Sequence, residues 1–389
     1  MRKFLHLTVT AVAVAAALLV AACGSTAPAP AATTAPAAKP AAAEPTKAAA
    51  PAAAAPAATT APAAPAAAAK PAVTYPKMDI KLGHAGVTDM SYHKGNVKFS
   101  ELVKERSGGN INIQVFPNSQ LGSEKDMVEQ VKNGVIQFAL TSTTFLSTFE
   151  GWGPSGSLIM PYVIPGATDE EQYPKLMKLI RSPLFQDVAE NGAKVSGLRA
   201  VDLGWWYGTR NLTNNKRPVV TPDDVKGLKI RTMDSPIGKA ALTALGAATT
   251  PMAVAELYSA MQMGVVDGQE NPYNTIYSSK YYEVQKYLST TGHMTMTVLI
   301  LTNDKWWQGL APEVRELLSK AVQDAGEYQS DVQLKANKQN LEDLKAKGMQ
   351  VSEVNKKDFA ERTKDAWKEF EPMFGKGFYE KVKAEADKL

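Results

Sequence analysis

Arg210 and Arg231 each close a strand-like run, with Gly208 and Gly227 nearby, in a body whose other basic residues are mostly lysines. A guanidinium fork meets a carboxylate with two parallel hydrogen bonds, a geometry that a lysine ammonium does not reproduce. Each charge-assisted bond contributes about 1.5–3 kcal/mol. Two arginines in an enclosed site therefore approach the roughly −8 kcal/mol of a micromolar binder. From these residues alone, surface or interlobe ion pairs remain an open alternative. No catalytic set accompanies them. His84, His93 and His293 lack zinc-type spacing, and no serine sits in a Gly-x-Ser-x-Gly turn. Hydrolysis would need paired carboxylates, and the acidic residues of the body neither nominate nor exclude a pair. Neither a metal nor a cofactor is implied. Trp205, Trp206 and Tyr207 read as packing at the core or the lobe boundary.

The charge balance narrows the partners. The 389 residues carry a formal charge of +4, with 43 basic and 39 acidic side chains. All of that excess lies in residues 1–75, where Arg2, Lys3, Lys39, Lys47 and Lys70 face only Glu44. The remaining 314 residues are balanced, which gives no support to nucleic-acid binding. The single cysteine, Cys23, excludes an internal disulfide and a multi-thiolate metal site. It follows Arg2 and Lys3, an apolar run from Leu7 to Val20, and Ala21-Ala22. That order reads as a signal peptide over residues 1–22 with a lipidated Cys23, as in the bacterial lipobox. From Gly24 to Thr74, 27 of 51 residues are Ala and 10 are Pro. Such a segment cannot build a core, so 23–75 reads as a lipidated, disordered tether reaching at most about 160 Å.

Folding signals begin near Met78. Asp79–Leu82 alternates as a strand, and Val97–Val103 reads as a helix closed by Ser107-Gly108-Gly109. Ile111–Val115 reads as a second strand, Ser123–Asn133 as a helix, and Val135–Leu140 as a third strand. This alternation predicts a parallel sheet covered by helices. Ligands gather at the carboxyl ends of such strands, which selects the loops holding His84 and Ser142. Helices are expected over Glu170–Asn191, Ile237–Leu245 and Ala253–Met263, and strands over Lys194–Leu203 and Met294–Leu301. From Pro312 to Lys347, apolar residues recur at three- and four-residue spacing. A helix of that length is about 54 Å long and would cross two lobes. Its later repeat is interrupted by Gln329, Ser330, Gln333 and Asn337, which argues against a coiled-coil dimer.

Several blocks then occur in a recognisable order. They are Gly227-Leu228-Lys229-Ile230-Arg231, Leu245-Gly246-Ala247, Thr250-Pro251-Met252-Ala253, Glu256–Gln262, Val266-Asp267-Gly268-Gln269-Glu270-Asn271-Pro272, Tyr282–Tyr287 and His293. Upstream lie Ser107-Gly108-Gly109, Phe116–Gly122 and Met160-Pro161-Tyr162. Over about Asp79 to Gly348 the chain resembles the DctP-type substrate-binding proteins of TRAP transporters. The resemblance implies a two-lobed α/β periplasmic-binding-protein-like fold with a central sheet in each lobe and a long helix crossing both. Lobe I is expected over 76–208 with about 295–330, and lobe II over 209–294 with about 331–389. It further implies a non-enzymatic, extracytoplasmic protein that closes on a small organic acid and delivers it to membrane permease subunits. As a lipoprotein it would be anchored through Cys23, and it is expected to be a monomer. By the family's pattern, Arg231 pairs with the substrate carboxylate, Arg210 and Asn271 sit beside it, and His84 and Ser142 line the pocket. Relatives that bind sialic acid tend to carry Asn and Glu at these last two positions, so a smaller mono- or dicarboxylate is favoured here. A surface-attached hydrolase and an adhesive lipoprotein are the alternatives.

Overall fold

The computed structural model describes residues 74–389; the expected leader at 1–22, Cys23 and nearly all of the 23–75 tether lie outside the described residues. The alternating run at the start forms β1 (Met78–Gly83), which buries Ile80 and Leu82. β2 (Ile111–Phe116) and β3 (Phe138–Ser142) flank it in parallel. Parallel neighbours need a crossover, and the helices Ser91–Arg106 and Glu124–Lys132 supply it. Ser123 and Asp126 cap the second helix reciprocally, which fixes where it begins. The third strand starts later than its apolar run suggests, because Val135 is exposed in the turn before it.

The same design recurs further along. β5 (Lys229–Thr232) lies between β6 (Ala248–Pro251) and β7 (Gly268–Asn271), parallel to both. Two 17-residue strands, β4 (Leu198–Asn214) and β8 (Tyr287–Asn303), join the two halves. They pair antiparallel with each other, while β8 also pairs with β3 and β4 with β7. The order is β2-β1-β3-β8-β4-β7-β5-β6, with β9 (Gln350–Ser352) on β8. Each half thus has the same strand sequence about the central pair. The expected α/β lobes are present, and their sheets are continuous through β4 and β8. The strand expected over Lys194–Leu203 is corrected. A helix runs from Pro183 to Ser196, Gly197 in the left-handed region ends it, and β4 continues through the aromatic run to Asn214.

Among the described residues, apolar side chains form three clusters. One gathers Ile80, Phe99, Phe138, Leu299 and Leu318; the others centre on Leu257, Met261 and Leu288, and on Val225, Ile230 and Leu242. The tail expected with lobe II divides between them. Phe359 joins the Ile230 cluster, whereas Phe370, Phe374, Tyr379 and Val382 join the cluster of the first half. Large aromatic side chains pack wherever the returning chain meets apolar surface, here against Trp152 and its neighbours.

The helix Pro312–Ala346 spans 35 residues, close to the expected extent. Its polar positions are buried and have a definite role. Pairing between β4 and β8 shifts register four times between Ala200 and Leu212, which leaves backbone groups unpaired. Gln329 donates to the Trp206 carbonyl at 2.9 Å, Gln333 to the Tyr207 carbonyl at 2.6 Å, and Ser330 accepts from the Trp206 N–H at 3.0 Å. Buried backbone groups need partners, and the helix amides supply them. Gly208 stands at this crossing with φ of 114°, and a Cβ there would lie 2.6 Å from the Asn337 amide.

Candidate functional site

A cavity of about 70 Å³ lies where β4, β5 and β7 meet β3 and β8, and Arg210, Arg231, Asn271 and Ser142 all line it. Its other walls are Ala85, Leu140, Met233, Val254, Met296 and Val298, with Tyr92, Tyr207, Thr141 and Glu124 among them. Ala85 and Val254 also border two adjoining pockets of about 110 and 510 Å³, and so stand at the junction of one branched cleft. A larger groove of about 830 Å³ is lined by Asp169, Tyr273, Asn337 and Lys356. Its cations are lysines, and Lys356 already donates to the Ala167 carbonyl at 2.8 Å. The smaller cavity, with two guanidinium groups, is the better anion site.

The two arginines differ electrostatically. Arg210 lies on β4 beside β7, where Leu212 pairs with Glu270. It binds both carboxylate oxygens of Glu270 through Nε and Nη2, and Nη2 also donates to the Glu270 carbonyl at 2.6 Å. Burial acts against the Arg210 charge, but Glu270 outweighs it and the net shift is upward. Burial alone would likewise raise the Glu270 carboxyl; Arg210, aided by His293, holds it down to about 2. Arg210 is therefore a compensated cation, with Tyr207 against its guanidinium at 5.6 Å.

Arg231 is not compensated. It sits at the carboxyl end of β5, 4 % exposed, and its Nε and Nη2 donate to the Met252 carbonyl at 3.0 and 2.7 Å. Among the described residues no carboxylate comes within ion-pair distance. Burial, with the like charge of Arg210 behind the opposing effect of Tyr281, lowers its pKa. A buried cation that keeps its charge without a counter-charge is costly, and a ligand carboxylate would relieve that cost.

Asn271 ends β7 and is held in place on both sides. Its Oδ1 accepts from the Tyr207 hydroxyl at 3.0 Å, and its Nδ2 donates to Gln269 at 2.5 Å. Thr275 in turn donates to the Tyr207 hydroxyl at 2.9 Å. Gly268 permits this strand to approach, since a Cβ there would meet the Thr213 carbonyl at 1.9 Å. Ser142 ends β3 and caps the short turn of helix after it, accepting from the Phe145 N–H at 3.2 Å.

His84 is placed differently from the expectation. It follows β1, but it is fully buried and does not line the cavity; the next residue, Ala85, does. Its Nε2 lies 2.9 Å from His93 Nδ1, and its ring meets Tyr92 edge-on. Burial and then His93 push its pKa down to about 3, which keeps it neutral. The ring is therefore a packed neighbour of Tyr92, one layer behind the wall.

Residue types alone did not single out Glu124 or Glu270. Glu124 sits 18 residues before Ser142 in the chain, yet the parallel crossover brings it against the end of β3. Its Oε1 accepts from Thr141 Oγ1 at 2.6 Å, from the Ser142 N–H at 2.8 Å and from Ser142 Oγ at 2.9 Å.

Comparison with known proteins adds an independent line. The family described as "Bacterial extracellular solute-binding protein, family 7" (DctP) matches residues 82–372. The C4-dicarboxylate-binding protein DctB of Bacillus subtilis is 33% identical over 285 residues, covering 72% of this chain and 78% of that protein. The 2,3-diketo-L-gulonate-binding periplasmic protein YiaO of Escherichia coli is 31% identical, covering 72% and 83%. A crystal structure of a TRAP periplasmic solute-binding protein from Polaromonas, bound to D-erythronate, superposes with a TM-score of 0.72 at 30% identity, covering 79% and 99%.

The Arg210–Glu270 pair has a measurable signature. Because the Glu270 carboxyl is lowered, its stabilisation is complete above the ordinary value of 4.5 and is lost as pH falls through about 2. Glu270→Gln leaves a buried guanidinium short of its partner and should cost about 3–5 kcal/mol at neutral pH. Urea unfolding between pH 4.5 and 2 should show a smaller loss for E270Q than for wild type. Equal acid sensitivity in both proteins would contradict the pairing.

Proposed function

Because this chain belongs to the DctP family, the family-7 bacterial extracellular solute-binding proteins, we propose that it captures a small organic acid between its lobes as the extracytoplasmic component of a TRAP transporter. The observation that carries this reading is Arg231, a buried guanidinium at a cavity wall whose charge the described residues leave unpaired. Nη1 of Arg231 makes no hydrogen bond among the described residues, nor does Nη1 of Arg210. Both are donors for an incoming carboxylate, and Asn271, fixed by Tyr207 and Gln269, stands beside them. The named relatives take a C4-dicarboxylate, a diketogulonate and D-erythronate, all of them organic acids.

The mechanism follows from where the groups reside. Arg210, Arg231 and Asn271 belong to the half built on β5 and β7, while Glu124, Thr141 and Ser142 belong to the half built on β1 and β3. An acid held by the first set and touched by the second adds affinity only when the halves approach. The ligand thereby shifts the population toward closure by the extra affinity that closure gives it. The closed form is the one handed to the membrane permease. A hydrolytic reading would need two carboxylates facing across the cavity, and its described lining contains one, Glu124. The names of the relatives likewise specify binding.

Attachment is the other part of the proposal. Arg2, Lys3, the apolar run to Val20 and the small residues before Cys23 support a lipidated cysteine followed by an Ala/Pro tether. Among the described residues no helix is long and apolar enough to cross a membrane.

Two experiments follow. Arg231→Ala should abolish binding of the native acid in calorimetry while cooperative unfolding is retained, and Arg231→Lys should weaken binding sharply; wild-type affinity in R231A would refute the assignment. Expressed with its own leader, the wild-type chain should take up labelled fatty acid and sediment with membranes, and Cys23→Ser should do neither. Label in C23S, or none in wild type, would refute the anchor.

A further inference from the structure

The cavity that holds the arginines also carries a charge of the other sign. Glu124 is its only acidic lining residue among those described, and it is half-buried at the first turn of the helix Glu124–Lys132. All three of its hydrogen bonds fall on one oxygen, Oε1. They come from Thr141 and Ser142, so the carboxylate is fixed to the end of β3 rather than swinging at the surface. The helix N-terminus adds a favourable field for its negative charge. Oε2 makes no hydrogen bond among the described residues. Nearby, the Tyr92 hydroxyl makes none either, although the residue is buried, its hydroxyl packs over Gly86, and it feels the charge of Glu124. Leu140, Met233, Met296 and Val298 line the same cavity.

We propose that Glu124 makes the cavity selective for monocarboxylates that carry hydroxyl groups away from the carboxylate, and selective against dicarboxylates and unsubstituted acids. The inference rests on the reading of Arg231 as the partner of the ligand carboxylate and names the chemistry at the other end. A fixed carboxylate oxygen accepts hydrogen bonds and donates none. A ligand hydroxyl donates to it in a charge-assisted bond, and the Tyr92 hydroxyl can join the same network. A second ligand carboxylate would face a like charge in a partly dehydrated site, where repulsion is weakly screened. A plain alkyl acid would leave the Oε2 of Glu124 dehydrated with nothing donated to it in return. The contact also crosses the cleft, so the hydroxyl is the group that ties the half holding Glu124 to the half holding Arg231.

The test is a calorimetric panel matched in length on wild-type protein and on Glu124→Gln. The probes are D-erythronate and D-gluconate, succinate and adipate, butyrate and hexanoate, and 4-aminobutyrate and 6-aminohexanoate. Gln keeps an acceptor for Thr141 and Ser142 and turns the free oxygen into an N–H donor. Wild type should bind a hydroxy acid at least about tenfold more tightly than the dicarboxylate and the alkyl acid of the same length. E124Q should lose about tenfold or more for the hydroxy acid and gain for the dicarboxylate, so that the preference narrows or reverses. Affinity ratios within one protein do not depend on the fraction folded, and a thermal unfolding midpoint checks the variant separately. A wild-type preference for the dicarboxylate, or a ratio that E124Q leaves unchanged, overturns the inference while leaving Arg231 as the carboxylate site. Tightest binding of an amino acid overturns it in favour of ammonium recognition. Binding of none of the acids overturns the carboxylate reading itself, and this inference with it.

Discussion

A guanidinium buried without a counter-charge is the constraint around which this protein is organised. Arg231 has the Met252 carbonyl for two of its donors and no carboxylate within reach among the described residues. Arg210, a few residues away in space, shows the ordinary solution, a buried cation matched by Glu270 on both carboxylate oxygens. The contrast explains the opposite directions of their pKa shifts. One arginine is satisfied by a carboxylate of the fold; the other has only a backbone carbonyl among the described residues. Keeping such a group charged and in place is expensive, so the surroundings must be rigid. Thr275, Tyr207, Asn271 and Gln269 form a chain of hydrogen bonds along the same cavity, continued by Thr213.

That rigidity comes from the central strand pair and the long helix. β4 and β8 run through both halves, so each half's sheet is anchored on strands the other half also uses. Their pairing is irregular in the middle, and irregular backbone is tolerable inside a protein only if its polar groups are met. Gln329, Ser330 and Gln333 meet them from the helix Pro312–Ala346. The amides interrupt the apolar repeat of the helix because they face polar groups, the carbonyls of Trp206 and Tyr207 and the Ser91 hydroxyl. The result is a connection that is continuous, hydrogen-bonded, and away from regular sheet geometry at the place where the two halves meet.

Much of the first half was legible along the chain. Alternation at Ile80–Leu82, the Ser123 cap and the glycines after helices are local signals, and local physics decides them. The place of Arg231, a buried cation near the end of β5 that lines the cavity, was legible from residue type and its position at a strand end. The partner of Arg210 was not, since Glu270 becomes its neighbour only through β4–β7 pairing across 60 residues. Glu124 is hidden for the same reason, and His84 misleads because the side chain at a strand end can turn either toward the cleft or behind it. The tail after Phe359 gave no sign of returning to the first half, because aromatic residues specify burial without specifying against what.

Whether Arg231 is the partner of the ligand carboxylate is read directly from the position of that carboxylate in a crystal structure of the acid complex. Its oxygens are expected within hydrogen-bond distance of the Arg231 guanidinium, with Arg210 still held by Glu270 and Asn271 alongside. A carboxylate bound elsewhere, in the groove of Asp169 and Lys356 for example, with Arg231 unpaired or paired by a protein side chain, would contradict it.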